Sequence, residues 1–186
     1  FNLLDGMFAI SLWDAKLNKL YLVRDYIGEK PLYYSKLSSN EIVYSSELKS
    51  LKNFFSLKLK LNKKVIWDYL SFLWIPEPNT IYEDVFALEP GFMIMVNESN
   101  IEIKKYKSFE KYQKPKDYKE MVNDAKSKVI QSIESRLISD VEVGCFLSGG
   151  IVSSIIAAIA SKKIKNLRTY TIGFEKGEDP YGGDND

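Results

Sequence analysis

The residues best suited to chemistry in this sequence are small and hydroxylated, and they stand close together: Ser148, Gly149, Gly150, Ser153 and Ser154. They follow an apolar segment that predicts a buried strand and precede one that predicts a helix. Glycines let a ligand approach the backbone closely, because no Cβ stands in its way. Free N–H groups at a helix start, together with hydroxyls, are typical ligands of phosphate. The pattern predicts a phosphate-binding turn, although a turn that merely caps and packs the helix stays open.

Two better-known nucleotide motifs are absent around this turn. No Gly-Lys-Ser or Gly-Lys-Thr follows at the spacing of a P-loop, and the pattern G-x-G-x-x-G does not occur. A phosphate bound here would therefore be held by backbone N–H groups and hydroxyls.

Histidine is absent from the sequence, and Cys145 is its single cysteine. Ser-His pairs, Cys-His pairs and histidine metal ligands are therefore excluded within these residues. Cys145 lies in the predicted buried strand, where a thiol is structural rather than reactive. A single cysteine also excludes an internal disulfide and fits a reducing compartment.

The composition is that of a globular protein with balanced charge. Hydrophobic residues make up 45% of the 186 residues, and 26 basic residues nearly cancel 25 acidic ones. No overall field draws the chain to nucleic acid or to an anionic membrane, so neither partner is expected. No apolar run approaches the roughly 18 residues of a membrane span, and the first residues lack a signal-peptide pattern. The expected compartment is the cytoplasm.

Both ends of the sequence resemble interior segments. The first residues run directly into the strand pattern of residues 6–13, and residues 182–186 form a turn signal with an Asp or Asn able to cap a further helix. We expect the sequence to be an internal part of a longer protein.

The first half of the sequence predicts short strands at close spacing, which favours an antiparallel layer. A short helix is predicted at residues 63–73, before Pro76 and Pro78, and a final hairpin follows. The predicted strands are residues 6–13, 19–23, 31–34, 41–45 and 56–61, with residues 91–96 and 101–106 forming the hairpin. Trp13, Trp67 and Trp74 lie in apolar segments and are predicted core residues.

The second half changes to the 3.6-residue period of helices. After a polar linker at residues 107–118, residues 121–138 predict an amphipathic helix with one buried stripe. A strand, the Ser-Gly-Gly turn, a helix and a second strand follow, at residues 141–147, 148–150, 152–163 and 167–174. This order is the start of a parallel α/β sheet. The predicted domains are residues 1–106 and 119–186.

Charged and turn residues cluster at Arg24, Asp25, Gly28 and Pro31. An Arg-Asp pair beside such a turn more often fixes a loop than performs chemistry. We therefore predict a structural role for these residues.

The segment Leu-Ser-Gly-Gly-Ile-Val-Ser-Ser at residues 147–154, with its flanks at residues 138–141 and 170–174, resembles the Ser-Gly-Gly-x-Asp-Ser loop of glutamine-hydrolysing asparagine synthetases. The first half resembles the amidotransferase domain of the same family in four further blocks, which occur in the family's order. These blocks are residues 4–9, 24–34, 46–51, and 76–82 with 88–91. From the five blocks together, the sequence is identified as a member of that family.

The resemblance implies an α+β antiparallel sandwich, part of an amino-terminal-nucleophile glutaminase domain, followed by the start of an α/β parallel-sheet ATP-pyrophosphatase domain. In the family, ATP adenylates the aspartate side chain, and ammonia released from glutamine then displaces AMP to give asparagine. The implied partners are glutamine, aspartate and ATP, the cofactors are ATP and Mg²⁺, and a homodimer stays open. The family's glutaminase nucleophile is a cysteine at the mature amino terminus, upstream of the matched region, so no catalytic residue is assigned.

By the same resemblance, the ATP-binding residues are Leu147, Ser148, Gly149, Gly150, Ser153 and Ile172. The serines and glycines would hold pyrophosphate, while Leu147 and Ile172 would give backbone contacts to the nucleotide. Val152 departs from the family, which has aspartate there, and a valine side chain coordinates no metal. No metal ligand is therefore assigned.

The main hypothesis is a glutamine-hydrolysing asparagine synthase, a carbon–nitrogen ligase. One alternative is a related amidotransferase that acts on another carboxylate, such as a sugar acid or an antibiotic precursor. A second alternative is a catalytically impaired relative, since Val152 replaces the motif aspartate. A sequence variant or error at that codon would also account for the valine.

Overall fold

The computed structural model describes residues 1–54, 59–108 and 117–173. The chain divides into two compact units, residues 1–111 and 112–186, and each is described by itself. In chain order, unit 1 contains β1 (Ala9–Asp14), β2 (Lys19–Arg24), β3 (Tyr33–Lys36), β4 (Ile42–Ser45), α1 (Leu48–Phe54), α2 (Lys64–Phe72), β5 (Phe86–Ala87), β6 (Phe92–Val96) and β7 (Ile101–Lys105). Unit 2 contains α3 (Tyr118–Ser135), β8 (Gly144–Phe146), α4 (Ile151–Ala160) and β9 (Arg168–Tyr170).

Unit 1 is built from antiparallel sheets that share a core. One sheet has the strand order β1-β2-β6-β7 and the other β4-β3-β5, with antiparallel pairing throughout both. The α+β antiparallel class predicted for this half is confirmed. Strands of both sheets contribute to the core, whose buried members are Leu22, Leu32, Tyr34, Leu88, Ile94 and Val96.

Side-chain oxygens form the tight turns of the first sheet. Asp14 Oδ1 accepts hydrogen bonds from the N–H groups of Lys16 and Leu17, at 2.9 and 3.1 Å, where β1 turns into β2. Asn97 Oδ1 accepts from the N–H groups of Ser99 and Asn100, both at 2.9 Å, where β6 turns into β7. Such local bonds compete with the strand ladder, so they end one strand and set the register of the next.

Most of the elements predicted in unit 1 are confirmed, with shifted ends. The predicted strand at residues 56–61 lies partly outside the described residues, and within the described part Leu61 makes an isolated bridge to Tyr82. The predicted helix at residues 63–73 is α2, and Leu73 ends it in a left-handed conformation with φ of 59°. Helix α1 and strand β5 have no clear sequence signal, because their seven and two residues are too short to show a period.

The prediction that the tryptophans belong to the core is wrong. Trp13, Trp67 and Trp74 are 59%, 74% and 58% exposed. Trp13 lies on β1, an edge strand, and α2 buries Val65 while Trp67 on the same helix faces outward. An apolar segment identifies a surface that favours burial, but the neighbouring elements decide which side is covered.

In unit 2, Asp117 caps the start of α3, where its side chain accepts from the N–H groups of Lys119 and Glu120. The predicted helix is confirmed, but its predicted buried stripe is wrong, since α3 has no buried residue. Helix α3 contacts α4, and Lys163 Nζ lies 3.2 Å from Glu134 Oε1. The apolar side of α3 is covered only in part, since Ile130 and Ile133 are half-buried while Val122 and Val129 are exposed. The predicted linker falls largely on residues 109–116, outside the described residues.

The second half of unit 2 has the predicted order of strand, turn, helix and strand. Strands β8 and β9 pair in parallel, with Cys145 opposite Thr169, and α4 lies between them in the chain. Each strand has three residues, fewer than predicted. Cys145 is buried on β8, as predicted.

Candidate functional site

The Ser-Gly-Gly turn begins where β8 ends. The N–H group of Leu147 donates to the carbonyl oxygen of Tyr170 at 2.8 Å, and the Thr171 hydroxyl donates to the carbonyl oxygen of Leu147 at 2.6 Å. These two bonds hold the carboxyl ends of the parallel strands side by side. Ligands of open α/β sheets bind outside this edge.

Two glycines make the bend into α4. Gly149 has φ of +77°, a left-handed conformation that favours glycine, and a Cβ built on it would meet no atom within 4 Å. Gly150 is the N-cap residue of α4, in an extended conformation. The first N–H groups of a helix have no acceptor within it, so those at the start of α4 are suited to an external acceptor. The start of α4 also carries the positive end of the helix dipole.

Two serine hydroxyls meet across the turn. The N–H group of Ser148 donates to Ser153 Oγ at 3.3 Å, and the two hydroxyl oxygens lie 3.2 Å apart. The hydroxyls of Ser153 and Ser154 each donate to the carbonyl oxygen of Gly150 at 2.9 Å. A serine hydroxyl rotates freely and can exchange such a bond for one to a ligand. The turn therefore combines serine hydroxyls, the start of a helix and a glycine whose added Cβ would meet no atom, a combination that fits a phosphate group.

The turn brings together most of the residues predicted to bind ATP, namely Leu147, Ser148, Gly149, Gly150 and Ser153. Ile172, also predicted, follows β9 with its side chain 79% exposed, and its neighbour Thr171 makes the bond to the turn. Sequence reasoning missed Thr171. Its signal, a hydroxyl directly after a strand, becomes informative only when the pairing of β8 and β9 is known.

Val152 is the second residue of α4 and is 68% exposed. Every side chain from residue 147 to residue 154 is uncharged. Mg²⁺ in nucleotide sites is held by carboxylates together with substrate phosphates. Over residues 1–54, 59–108 and 117–173, no group of three His, Cys, Asp or Glu side chains is placed to hold a metal ion. The turn thus fits a phosphate, but it offers no charged ligand to Mg²⁺.

The charged residues predicted to be structural lie in unit 1, around Asp25, which is 1% exposed. Its Oδ1 accepts from three backbone N–H groups and its Oδ2 from two, at 2.7 to 3.3 Å; the donors are Phe8, Ile27, Gly28, Glu29 and Lys30. Burial raises the pKa of Asp25, but the N–H bonds to the carboxylate outweigh it, so the pKa lies below its ordinary value. The carboxylate is therefore charged and fully used in holding the backbone.

Arg24 is 5% exposed and binds the same loop from its other side. Its Nε and Nη2 donate to the carbonyl oxygens of Lys30 and Gly28, both at 2.8 Å. Its Nη1 donates to the carbonyl oxygen of Leu88 at 2.6 Å and to Glu77 Oε2 at 2.8 Å. These partners all belong to unit 1, so the predicted structural role is confirmed for Arg24 and Asp25.

Comparison with known proteins gives matches over most of the chain. Residues 1–107 match the family model described as glutamine amidotransferase domain, and residues 124–184 match the one described as asparagine synthase. The chain belongs to the glutamine-hydrolysing asparagine synthetase family. The recognition made from the five sequence blocks is thereby confirmed.

Curated relatives carry the same family name. Over 93% of its length the chain is 35% identical to the glutamine-hydrolyzing asparagine synthetase 1 of Bacillus subtilis (strain 168), of which it spans 27%. Over 92% of its length it is 34% identical to a putative glutamine-hydrolyzing asparagine synthetase 2 of Methanocaldococcus jannaschii, of which it spans 34%. Over 90% of its length it is 33% identical to the glutamine-hydrolyzing asparagine synthetase 2 of Bacillus subtilis, of which it spans 24%. The chain thus covers about a quarter to a third of these synthetases.

Among the described residues of this family member, no helix has both the length and the apolar character needed to cross a membrane.

Proposed function

We propose that the full-length protein makes asparagine from aspartate, using ATP and ammonia released from glutamine. The family assignment supports this function, and the observation that carries it is the turn at residues 147–154, where two hydroxyls lie 3.2 Å apart beside the start of α4 and a Cβ on Gly149 would meet no atom within 4 Å. In this proposal residues 1–106 belong to an amino-terminal-nucleophile glutaminase domain and residues 119–186 begin an ATP-pyrophosphatase-type synthetase domain. Residues 107–118 are the linker between them.

Each residue of the turn has a role toward ATP in this proposal. Gly149 and Gly150 bring backbone N–H groups close to the pyrophosphate portion, and the positive end of α4 stabilises its charge. The hydroxyls of Ser148 and Ser153, 3.2 Å apart in the structure, donate to phosphate oxygens, and Ser153 gives up its hydrogen bond to the carbonyl oxygen of Gly150 to do so. Leu147 and Ile172 offer backbone groups to the nucleotide.

The reaction balances as two coupled steps. Hydrolysis of the glutamine side-chain amide gives glutamate and ammonia. The aspartate side-chain carboxylate attacks the α-phosphorus of ATP and pyrophosphate leaves; ammonia then attacks the activated carbonyl carbon, and AMP leaves. Mg²⁺, when bound with the triphosphate, neutralises part of its charge. The turn has no carboxylate to hold that ion, so no step is assigned to a metal ligand of this chain.

The proposal is tested on the full-length protein with aspartate, ATP and glutamine labelled with ¹⁵N at its amide. We expect labelled asparagine, with AMP and pyrophosphate in equal amounts. Amidation of a sugar acid or another carboxylate in place of aspartate would support the alternative acceptor. A protein that neither binds ATP nor forms AMP with any carboxylate would contradict the proposal.

A matched pair of serine variants tests the turn itself. Ser153→Ala removes a hydroxyl of the turn, and we expect the Kd for ATP to rise roughly tenfold, the value of one hydrogen bond to a charged group. Ser161→Ala removes a hydroxyl that donates to the carbonyl oxygen of Ala158 at 3.1 Å, at the far end of α4, and should leave the Kd unchanged. Equal effects of the two substitutions would refute the assignment.

A weakened synthetase step is the second candidate, and Val152 favours it. In the family an acidic side chain at this position would help to hold Mg²⁺ or order the loop, and a valine does neither. We expect Val152→Asp in the full-length protein to raise pyrophosphate release, with glutamine or with ammonia, by about an order of magnitude or more. An unchanged rate would show that the valine does not impair the step.

A further inference from the structure

We infer that Thr171 is a positioning residue of the ATP site, because its hydroxyl takes a place in the ladder of β8 and β9 that would otherwise occupy the N–H group of Ile172. The inference rests on the proposed function, in which Ile172 offers a backbone group to the nucleotide. Thr171 acts through this neighbour and sets how tightly the site holds ATP.

The regular pairing of the two parallel strands ends at the Ser-Gly-Gly turn. The last paired residues are Phe146 and Tyr170, and the N–H group of Leu147 then donates to the carbonyl oxygen of Tyr170 at 2.8 Å. Hydrogen bonds of a parallel ladder are evenly spaced, so the next one would run from the N–H of Ile172 to the carbonyl oxygen of Leu147. That oxygen instead accepts the Thr171 hydroxyl at 2.6 Å. A side chain thus uses the acceptor that a longer ladder would give to the main chain.

This exchange of donors takes place at the edge where a nucleotide would bind. Ligands of open α/β sheets bind outside the carboxyl ends of the strands, and Ile172 follows β9 at that end. Ile172 is 79% exposed, so a ligand can reach this part of the chain. The bond of Thr171 to Leu147 crosses 24 residues of sequence, and it holds the two strand ends together without drawing on the Ile172 N–H.

Removing the hydroxyl separates this role from plain structural support. Valine has the branched shape of threonine but cannot donate a hydrogen bond. In Thr171→Val the Leu147 carbonyl oxygen loses its donor, and the Ile172 N–H is the main-chain group in register to replace it. ATP would then compete with a ladder bond for that N–H. Thr171→Ser keeps the hydroxyl and should keep the natural arrangement.

The experiment measures the Kd for ATP by calorimetry on the full-length protein. We expect Thr171→Val to raise the Kd about three- to tenfold, the value of one hydrogen bond, and Thr171→Ser to bring it back to within about twofold. In the complete reaction, Thr171→Val should raise the KM for ATP and leave the KM for aspartate unchanged. Thr169→Val is the matched control, since Thr169 lies on the same face of the strand two residues earlier, opposite Cys145, and should not alter the Kd.

Amide hydrogen exchange at Ile172 detects the ladder bond directly. In the natural protein, ATP should slow the exchange of this N–H about tenfold or more. In Thr171→Val the exchange should already be slow without ATP and change little when ATP is added.

Three results would overturn the inference while leaving the proposed ATP site in place. One is an unchanged Kd on Thr171→Val, another is a weakening that Thr171→Ser does not restore, and the third is an equal weakening on Thr169→Val. If the natural protein does not bind ATP at all, the proposed site and the inference fall together.

Discussion

The substitution Asp25→Asn tests whether one buried carboxylate holds the loop of residues 25–30. Three N–H groups donate to Oδ1, and those of Phe8 and Lys30 donate to Oδ2 at 3.3 and 3.0 Å. An asparagine has one acceptor oxygen and one NH₂ group. The less damaging orientation keeps the oxygen at Oδ1 and turns the NH₂ group toward the Phe8 and Lys30 donors.

The cost of that orientation follows from the number of donors left without an acceptor. A buried donor without a partner costs about 1–3 kcal/mol, and the Phe8 bond is the longer and weaker of the two. The three bonds that remain also lose the charge of their acceptor, which roughly halves their strength. We expect the loop to lose about 3–5 kcal/mol, a large share of the roughly 5–15 kcal/mol that stabilises a domain.

Amide hydrogen exchange on the full-length protein measures this loss where it occurs. A loss of about 3 kcal/mol should raise the exchange rates of residues 26–30 about a hundredfold. Asp14→Asn is the matched control, because Asp14 Oδ1 also accepts two N–H groups but does so at the surface. It should raise exchange in its own turn less than about tenfold. If exchange around residue 25 rose no more than in the control, the account of the buried carboxylate would be wrong.

The pH dependence of Asp25 has a definite sign. Its pKa is lowered in the folded protein, because the backbone N–H bonds outweigh the effect of burial. The unfolded chain therefore binds this proton more readily, and the stability that the carboxylate contributes is present above about pH 4 and is lost as the pH falls through the folded pKa. Asp25→Asn should remove this part of the acid sensitivity. An identical slope of stability against pH below about pH 4 in both proteins would contradict the assignment.

Three further substitutions test the close packing and the hydrogen bonds of the two units. Gly28 has φ of +79°, and its added Cβ would lie 2.8 Å from Pro90 Cγ, so Gly28→Ala should cost about 2 kcal/mol or more, measured by thermal unfolding. Gly149→Ala meets no atom and should cost about 1 kcal/mol, so equal losses would contradict the packing argument. Tyr106→Phe removes the hydrogen bond to the carbonyl oxygen of Arg24 and should cost about 1 kcal/mol. Burial and then the Asp25 charge raise the pKa of Tyr106 in the folded protein. The stability that the neutral phenol contributes is therefore lost as the pH rises above about 10. The phenylalanine variant should lack this alkaline loss of stability.

Local signals in the sequence predict much of the fold. Asp14 and Asn97 stand where strands turn, and their side chains form the bonds that such residues favour. Tertiary contacts that lie far apart in the chain explain the failures. Strand β5 exists because it pairs with β3, about 50 residues earlier in the chain, and this pairing has no local pattern. The tryptophans show the same limit for burial, since hydrophobicity does not reveal which faces of α2 and β1 are covered.

The part of the candidate site that lies in one continuous segment of sequence was predictable, and the contacts that form only on folding were not. The turn is one continuous segment, so its residues are found by motif, and the geometry adds the meeting of Ser148 with Ser153 and the contact of Thr171. The structural cluster around Asp25 is the opposite case. Its donors include Phe8, 17 residues away, and Arg24 reaches Glu77 and Leu88, 53 and 64 residues away. Sequence reasoning predicted its role from residue types but had no means to predict those partners.

Asp25 and the turn of residues 147–154 differ in how they use charge. In unit 1 the Asp25 carboxylate is buried, and backbone N–H groups donate to both of its oxygens. In unit 2 the turn of residues 147–154 carries no side-chain charge, and in the proposed function its N–H groups hold the phosphates of ATP. Removing the charge at Asp25 should therefore lower stability, while adding one at Val152, which is 68% exposed, should leave the fold intact. Stability and pyrophosphate release should therefore respond differently to Asp25→Asn and Val152→Asp, with the first lowering stability and the second changing the rate of pyrophosphate release.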